Sequence, residues 1–159
     1  MLEPDQILVI YDGSCGFCSQ VVDSLRRRDW REAMAFFPSQ TPGLLEAAGL
    51  TEEEAAQTVL VFSPGGRTWK EFGAVAAVLD ELFPVGLPIL RGISLVPGLR
   101  QIGNAGYRLV ARNRGKLGST PPALSLQDPP VLDAATLQEI ERRRLAVRMP
   151  TALPPRVVD

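Results

Sequence analysis

At 159 residues and 17.3 kDa the chain has room for one compact domain with a real core, plus a smaller extension. Hydrophobic residues make up 45% and charged residues 22%, and a formal net charge of -1 provides no whole-molecule field to recruit nucleic acid or an anionic membrane. The sequence contains no histidine, which excludes Ser–His and Cys–His catalytic pairs and any His-ligated metal or haem.

Ile7-Leu8-Val9-Ile10-Tyr11, bounded by Asp12-Gly13, predicts a buried strand. The period then changes: Phe17, Val21, Val22 and Leu25 fall at helical spacing, with Gln20, Asp23, Arg26 and Arg27 on the other face. Met34 to Phe37 reads as a second strand ended by Pro38, and Thr41 to Ala48 as a short helix stopped by Gly49. Thr51 to Glu54 form a capping signature for another turn or two of helix. Thr58 to Phe62 predicts a third strand, Ser63-Pro64-Gly65-Gly66 a turn, and Arg67 to Lys70 an antiparallel return. A helix follows with Phe72, Val75, Ala76, Leu79, Leu82 and Phe83 on one face. Strand–helix–strand–helix–strand–strand–helix is the order of an α/β domain of thioredoxin-like type, a mixed sheet flanked by helices.

Beyond it, Leu99, Ile102, Gly106, Leu109 and Val110 predict a further helix ending in Arg112 to Lys116. Pro121, Pro122, Pro129 and Pro130 read as a linker, Asp133 as the cap of an extra C-terminal helix through about Val147, and Pro150 to Pro155 as a mobile tail. The division expected from this is a redox domain over residues 1–118 and an appendage over 119–159. The basic runs Arg26–Arg28 and Arg142–Arg144 read as solvated helix faces. Glu3 and Asp5 stand where a secretory signal has its basic region, and Ile7–Tyr11 is too short for the signal's apolar core. A spanning helix needs about 20 apolar residues, and Arg91 divides the most apolar region, Val85–Leu99. The expectation is a cytoplasmic protein without a membrane span.

The chemistry concentrates in Tyr11-Asp12-Gly13-Ser14-Cys15-Gly16-Phe17-Cys18, which holds both cysteines of the chain. A strand feeds a turn, and the turn opens a helix with a cysteine at its start. Unpaired N–H groups and the positive dipole end of a helix stabilise an anion, so the thiolate form is favoured there. Cys15 is the candidate nucleophile. Cys18 lies one turn further in on the same face, roughly 5–6 Å away, where it can resolve a mixed disulfide. A purely structural bond over so short a loop staples little, roughly 2 kcal/mol. Two thiolates alone leave tetrahedral zinc two ligands short, so a metal requires two copies bridged through their Cys pairs. Asp12 either shapes the Asp-Gly turn or relays the proton of Cys18, and the two roles are compatible. Ser14 is a candidate helix cap, and Gly13 is read as serving backbone freedom alone.

Asp12, Cys15 and Cys18 match D-x-x-C-x-x-C, and Ile10 through Cys18 match the longer (L/V)-Y-D-G-x-C-x-x-C. Tyr107-Arg108-Leu109-Val110-Ala111-Arg112-Asn113-Arg114 is similar to Y-R-x-x-A-R-N-R. In these features the chain resembles the DCC family of thiol–disulfide oxidoreductases, over about residues 6 to 117. The resemblance implies a thioredoxin-like fold and a dithiol site. Two departures stand out: Gly115 to Thr120 lacks the further cysteine many members carry, and Gln57 and Thr58 stand where thioredoxin has a substrate-presenting proline. The second departure argues against general protein-disulfide reduction of the thioredoxin kind. Tyr107, Arg108, Arg112 and Arg114 are either a helix face closing over the sheet or a basic wall beside the dithiol that holds an anionic thiol.

The function expected is disulfide exchange through Cys15 and Cys18, with Asp12 orienting or relaying protons. It requires no bound cofactor and no metal. Its partners are a thiol or disulfide substrate, protein or small molecule, and a reductant or oxidant that recycles the dithiol. The rival readings are a redox-inactive interaction module, with Val85–Leu99 and the C-terminal helix as its surface, and the metal-bridged dimer.

Overall fold

The computed structural model describes residues 2–82, 92, 96–117 and 130–148. All but the last residue of the linker expected over Pro121–Pro130, the tail over Pro150–Pro155 and most of the apolar Val85–Leu99 region lie outside the described residues.

Strand β1 (Ile7–Tyr11) sits inside a four-stranded mixed sheet of order β2-β1-β3-β4. It runs parallel to β2 (Met34–Pro38), Tyr11 facing Pro38, and antiparallel to β3 (Leu60–Phe62), which pairs with β4 (Thr68–Lys70). The parallel pair requires a crossover, and α1 (Gly16–Arg28) supplies it. Side chains of β1 alternate between the two faces, and each face has its own cover. Ile7, Val9 and Tyr11 pack with Met34, Phe36 and Val61 under Val22 and Leu25 of α1 and Ala74, Ala77 and Val78 of α4 (Glu71–Leu82). Leu8 and Ile10 pack with Ala35, Phe37, Leu60 and Phe62 under Leu44 and Ala48 of α2 (Leu44–Ala48) and Ile140 of a late helix.

The capping signature at Thr51 is realised. Thr51 Oγ1 accepts the Glu54 N–H at 3.2 Å, and Glu54 Oε2 accepts the Thr51 N–H at 3.2 Å, opening α3 (Glu52–Gln57). The third strand starts at Leu60 rather than Thr58. Thr58 still closes α3, its N–H bonded to Glu54 O, and the Val59 N–H is held from outside the sheet. No loop joins β4 to α4: Glu71 turns the chain in one residue, with φ 51. A non-glycine residue holds that left-handed conformation at a cost of about 1–3 kcal/mol.

The helix expected after residue 97 is α5 (Pro97–Leu117), opened by proline at its first position and packed on α4 and α1. Leu99, Ile102 and Leu109, which signalled it, are exposed, Ile102 at 71%. The face turned toward α4 carries Gly103, where an added Cβ would meet the Phe72 ring at 2.4 Å.

The helix predicted from Asp133 is α6 (Ala134–Arg148), whose cap carboxylate accepts the Thr136 N–H at 3.0 Å. It lies on α2 and fills the second core with Ile140. The reading of Arg142–Arg144 as a solvated face is corrected at Arg143, which is 0% exposed. Its guanidinium donates to the carbonyls of Gln6 (2.7 Å), Glu3 (3.1 Å) and Pro4 (3.2 Å) and to Glu139 Oε1 (2.8 Å). A buried cation persists only with such partners, and these tie α6 to the segment entering β1. No described helix is long and apolar enough to cross a membrane.

Candidate functional site

β1 ends at Tyr11, and the chain turns from Asp12 into α1 at the C-terminal end of the strand. The Cys15 N–H donates to Asp12 O at 3.2 Å, closing the turn. Cys15 is itself the N-cap of α1, in extended conformation (φ -89, ψ 107). Its Sγ accepts the Cys18 N–H at 3.2 Å, while its carbonyl accepts the Ser19 N–H at 3.0 Å. The sulfur thus takes the place an N-cap oxygen ordinarily holds. Ser14, the expected cap, turns instead to Asp12: its N–H donates to Asp12 Oδ1 at 3.0 Å, and its hydroxyl donates to the same oxygen. Cys15 and Cys18 are both half-buried, and no disulfide joins them.

Asp12 is 8% exposed. Oδ1 also accepts from Gln40 Nε2 at 3.2 Å, and Gln40 Oε1 accepts the Gly13 N–H at 3.1 Å. The amide of Gln40 therefore clamps the turn from both sides. Sequence reading missed it, although the signal exists: β2 runs parallel beside β1, so whatever follows Pro38 lies next to whatever follows Tyr11. The same neighbour corrects the role of Gly13, which is close approach. An added Cβ would meet Pro38 Cβ at 2.7 Å and Gln40 Oε1 at 2.8 Å.

A cavity of about 450 Å³ lies between α1, α4 and α5. Its walls are mostly aliphatic, and Cys18, Asp12, Thr58 and Tyr107 line it. Tyr107 reaches from α5 to the entry of β3, where its Oη accepts the Val59 N–H at 2.9 Å and the Thr58 hydroxyl at 3.3 Å. One turn earlier, Asn104 Oδ1 accepts the Phe72 N–H at 3.3 Å. Of the residues singled out on this helix whose side chains are described, Tyr107 shares a cavity with Cys18, and Arg108 and Arg112 do not. Arg108 faces the other way and pairs with Glu71 at 3.2 Å, Arg112 is exposed, and the side chain of Arg114 lies outside the described ones.

The profile of the family described as DCC1-like thiol-disulfide oxidoreductase matches residues 9–120. The chain belongs to that family. No curated protein and no solved structure matches it. The DCC1-like segment runs from within β1 to just past α5, so it takes in Asp12, both cysteines and the Tyr107 contact, while α6 lies beyond it. The mixed sheet with its flanking helices agrees with the thioredoxin-like α/β architecture expected of a DCC1-like chain.

Proposed function

We propose that the chain exchanges disulfides through Cys15 and Cys18, with Cys15 as the attacking sulfur. The observation that carries this reading is the Cys18 N–H donated to Cys15 Sγ at the helix start. This contact fixes Cys15 Sγ at the first turn of α1, one turn ahead of Cys18. The Cys15 thiolate attacks one sulfur of a substrate disulfide. The substrate S–S bond breaks, a mixed disulfide forms on Cys15, and one substrate thiolate leaves. Cys18 then loses its proton and attacks Cys15 Sγ, releasing the second substrate thiolate. The substrate gains two electrons and the protein becomes a Cys15–Cys18 disulfide.

Asp12 lines the same cavity as Cys18 and is the group assigned to take the Cys18 proton and pass it to the departing thiolate. The Ser14 and Gln40 donors hold its carboxylate in place. A thiol or disulfide substrate and a separate recycling reductant or oxidant are the partners implied, with the cytoplasm as the compartment. All the electrons reside in the dithiol, so no cofactor enters the cycle.

Alkylation with limiting reagent at neutral pH tests the division of labour. Cys15 should be modified well before Cys18, and Cys18→Ser should trap mixed disulfides that Cys15→Ser does not. Equal alkylation of the two, or trapping by the wrong variant, sinks the assignment.

A further inference from the structure

The cavity beside Cys18 is larger and more apolar than the movement of a proton between Cys18 and Asp12 requires. Its volume of about 450 Å³ falls within the roughly 300–1,000 Å³ of small-molecule sites. At about 30 Å³ for each heavy atom, the share of one water in the liquid, it accommodates roughly fifteen non-hydrogen atoms. Close-packed cores keep few spaces larger than a water, so a cavity of this size marks a binding site rather than a packing fault. Val75, Val78 and Leu79 of α4 face Val21 of α1 and Val110 of α5 across it. Val21 and Val110 remain 41% and 42% exposed, which puts apolar surface at its rim.

The cavity reaches the dithiol directly. Phe17 and Cys18 bring the first turn of α1 into its wall. Cys15 Sγ lies 3.2 Å from the Cys18 nitrogen, just outside that wall.

Two observations narrow the occupant. Among the described residues no lysine or arginine lines the cavity, and its one acid is Asp12. An anionic ligand finds no counter-charge there and meets a carboxylate, whereas a neutral one meets no such repulsion. The Val59 N–H at the cavity is taken by Tyr107 Oη at 2.9 Å, so an extended peptide gains no backbone bond from that donor. Apolar surface is the recognition that remains.

We propose that this cavity is the substrate subsite, and that the substrate is an uncharged, low-molecular-weight disulfide with an aliphatic or aromatic substituent that fills it. The proposal rests on the Cys15–Cys18 reading and adds the substrate class to it. With the substituent seated, the substrate S–S bond lies at the mouth beside Cys15, and Cys18 is already alongside. The two electrons and two protons of the dithiol pass to the substrate, which leaves as two thiols, and Cys15 and Cys18 become joined.

Dipropyl disulfide and bis(2-hydroxyethyl) disulfide serve as probes, since they differ only in a terminal methyl for a hydroxyl on each arm. Both oxidise the reduced protein in stopped flow. The readout is the ratio of their second-order rates, apolar over polar, divided by the same ratio for dithiothreitol. It should be about tenfold in the wild type. Gly106 lines the cavity, and a Cβ added there meets nothing within 4 Å, so a larger side chain enters open space. Gly106→Leu replaces a poor helix former by a good one and should bring the ratio close to one. Val21→Thr/Val110→Thr makes the rim polar without adding bulk and should lower the ratio severalfold. Ile102→Thr/Leu109→Thr changes exposed apolar residues of α5 outside the cavity and should leave the ratio unchanged. A wild-type ratio near one, no fall in the cavity variants, or an equal fall in the control overturns the subsite. Insulin oxidising the reduced protein faster than dipropyl disulfide, with the same loss in Gly106→Leu, overturns the small-molecule assignment. Methyl NMR with dipropyl sulfide, which has no S–S bond, separates the subsite from the exchange reading. Saturable shifts at Val75 and Leu79 that vanish in Gly106→Leu support the subsite even where exchange fails. Exchange without those shifts overturns it.

Discussion

Asp12 is the residue at which two demands meet. Its Oδ1 accepts from Ser14 and Gln40 and so fixes the turn, yet the side chain also borders the cavity that holds Cys18. Asn at this position keeps an oxygen for the same donors but takes up no proton. In Asp12→Asn, formation of the mixed disulfide on Cys15 should proceed at close to the wild-type rate, while its resolution by Cys18 slows by about tenfold or more. Stopped-flow measurement of the two steps separately decides between relay and turn: unchanged resolution across neutral pH leaves Asp12 a purely structural residue. Gln40 supports the same carboxylate from outside the motif.

At the scale of elements, most of the fold was legible because each strand and helix carries its own period. Ile7–Tyr11 and Thr51–Glu54 identify themselves, and so does the turn at Ser63–Gly66. What stayed hidden is set by contacts between elements. β3 starts two residues late because Tyr107, on a helix 48 positions away in sequence, takes the Val59 N–H. Cys15 displaces Ser14 as the cap because Asp12 claims the Ser14 donors, and local propensity ranks the serine oxygen higher. The apolar residues that announce α5 are not those that seat it: Gly103, Asn104 and Tyr107 do, through a close approach and hydrogen bonds to backbone donors. Seating by a close approach is fragile. Gly103→Ala places a methyl against the Phe72 ring and should cost about 1–3 kcal/mol. Because α5 walls the Cys18 cavity, the same variant should speed alkylation of Cys18 while leaving that of Cys15 alone. Retention of the wild-type Cys18 rate would show that α5 does not shield this thiol.

For the whole molecule the question is whether residues 1–118 fold without the rest. Ile140 is fully buried against the second face of the sheet, and burying such a side chain contributes about 1.5–3 kcal/mol. Removing α6 also uncovers Leu44 and Ala48 and strips the Gln6, Glu3 and Pro4 carbonyls of their donor. Against a total stability of about 5–15 kcal/mol these losses take away a large share. A chain ending at Gly118 should lose cooperative unfolding in circular dichroism; a sharp transition near the wild-type midpoint would show an independent domain. The same helix sets an acid limit. Hydrogen bonds from Arg142, then Arg143, hold the Glu139 carboxyl down at about 2, against an ordinary 4.5. A lowered folded-state value means stability present above about 4.5 and lost as pH falls from there toward 2. Denaturant midpoints should decline through that window and decline less in Glu139→Gln. The placement of α6 also orders events in time. Arg143 bonds Gln6 across 137 positions, and Leu2 bonds Thr136 across 134. At ribosomal speeds β1 waits on the order of ten seconds for the helix that covers it. Through that interval Leu8 and Ile10 have no partner from α6, and the strand that aims Cys15 is only half enclosed. The dithiol turn is made long before the helix that completes its support, and it reaches its working geometry only after that helix docks.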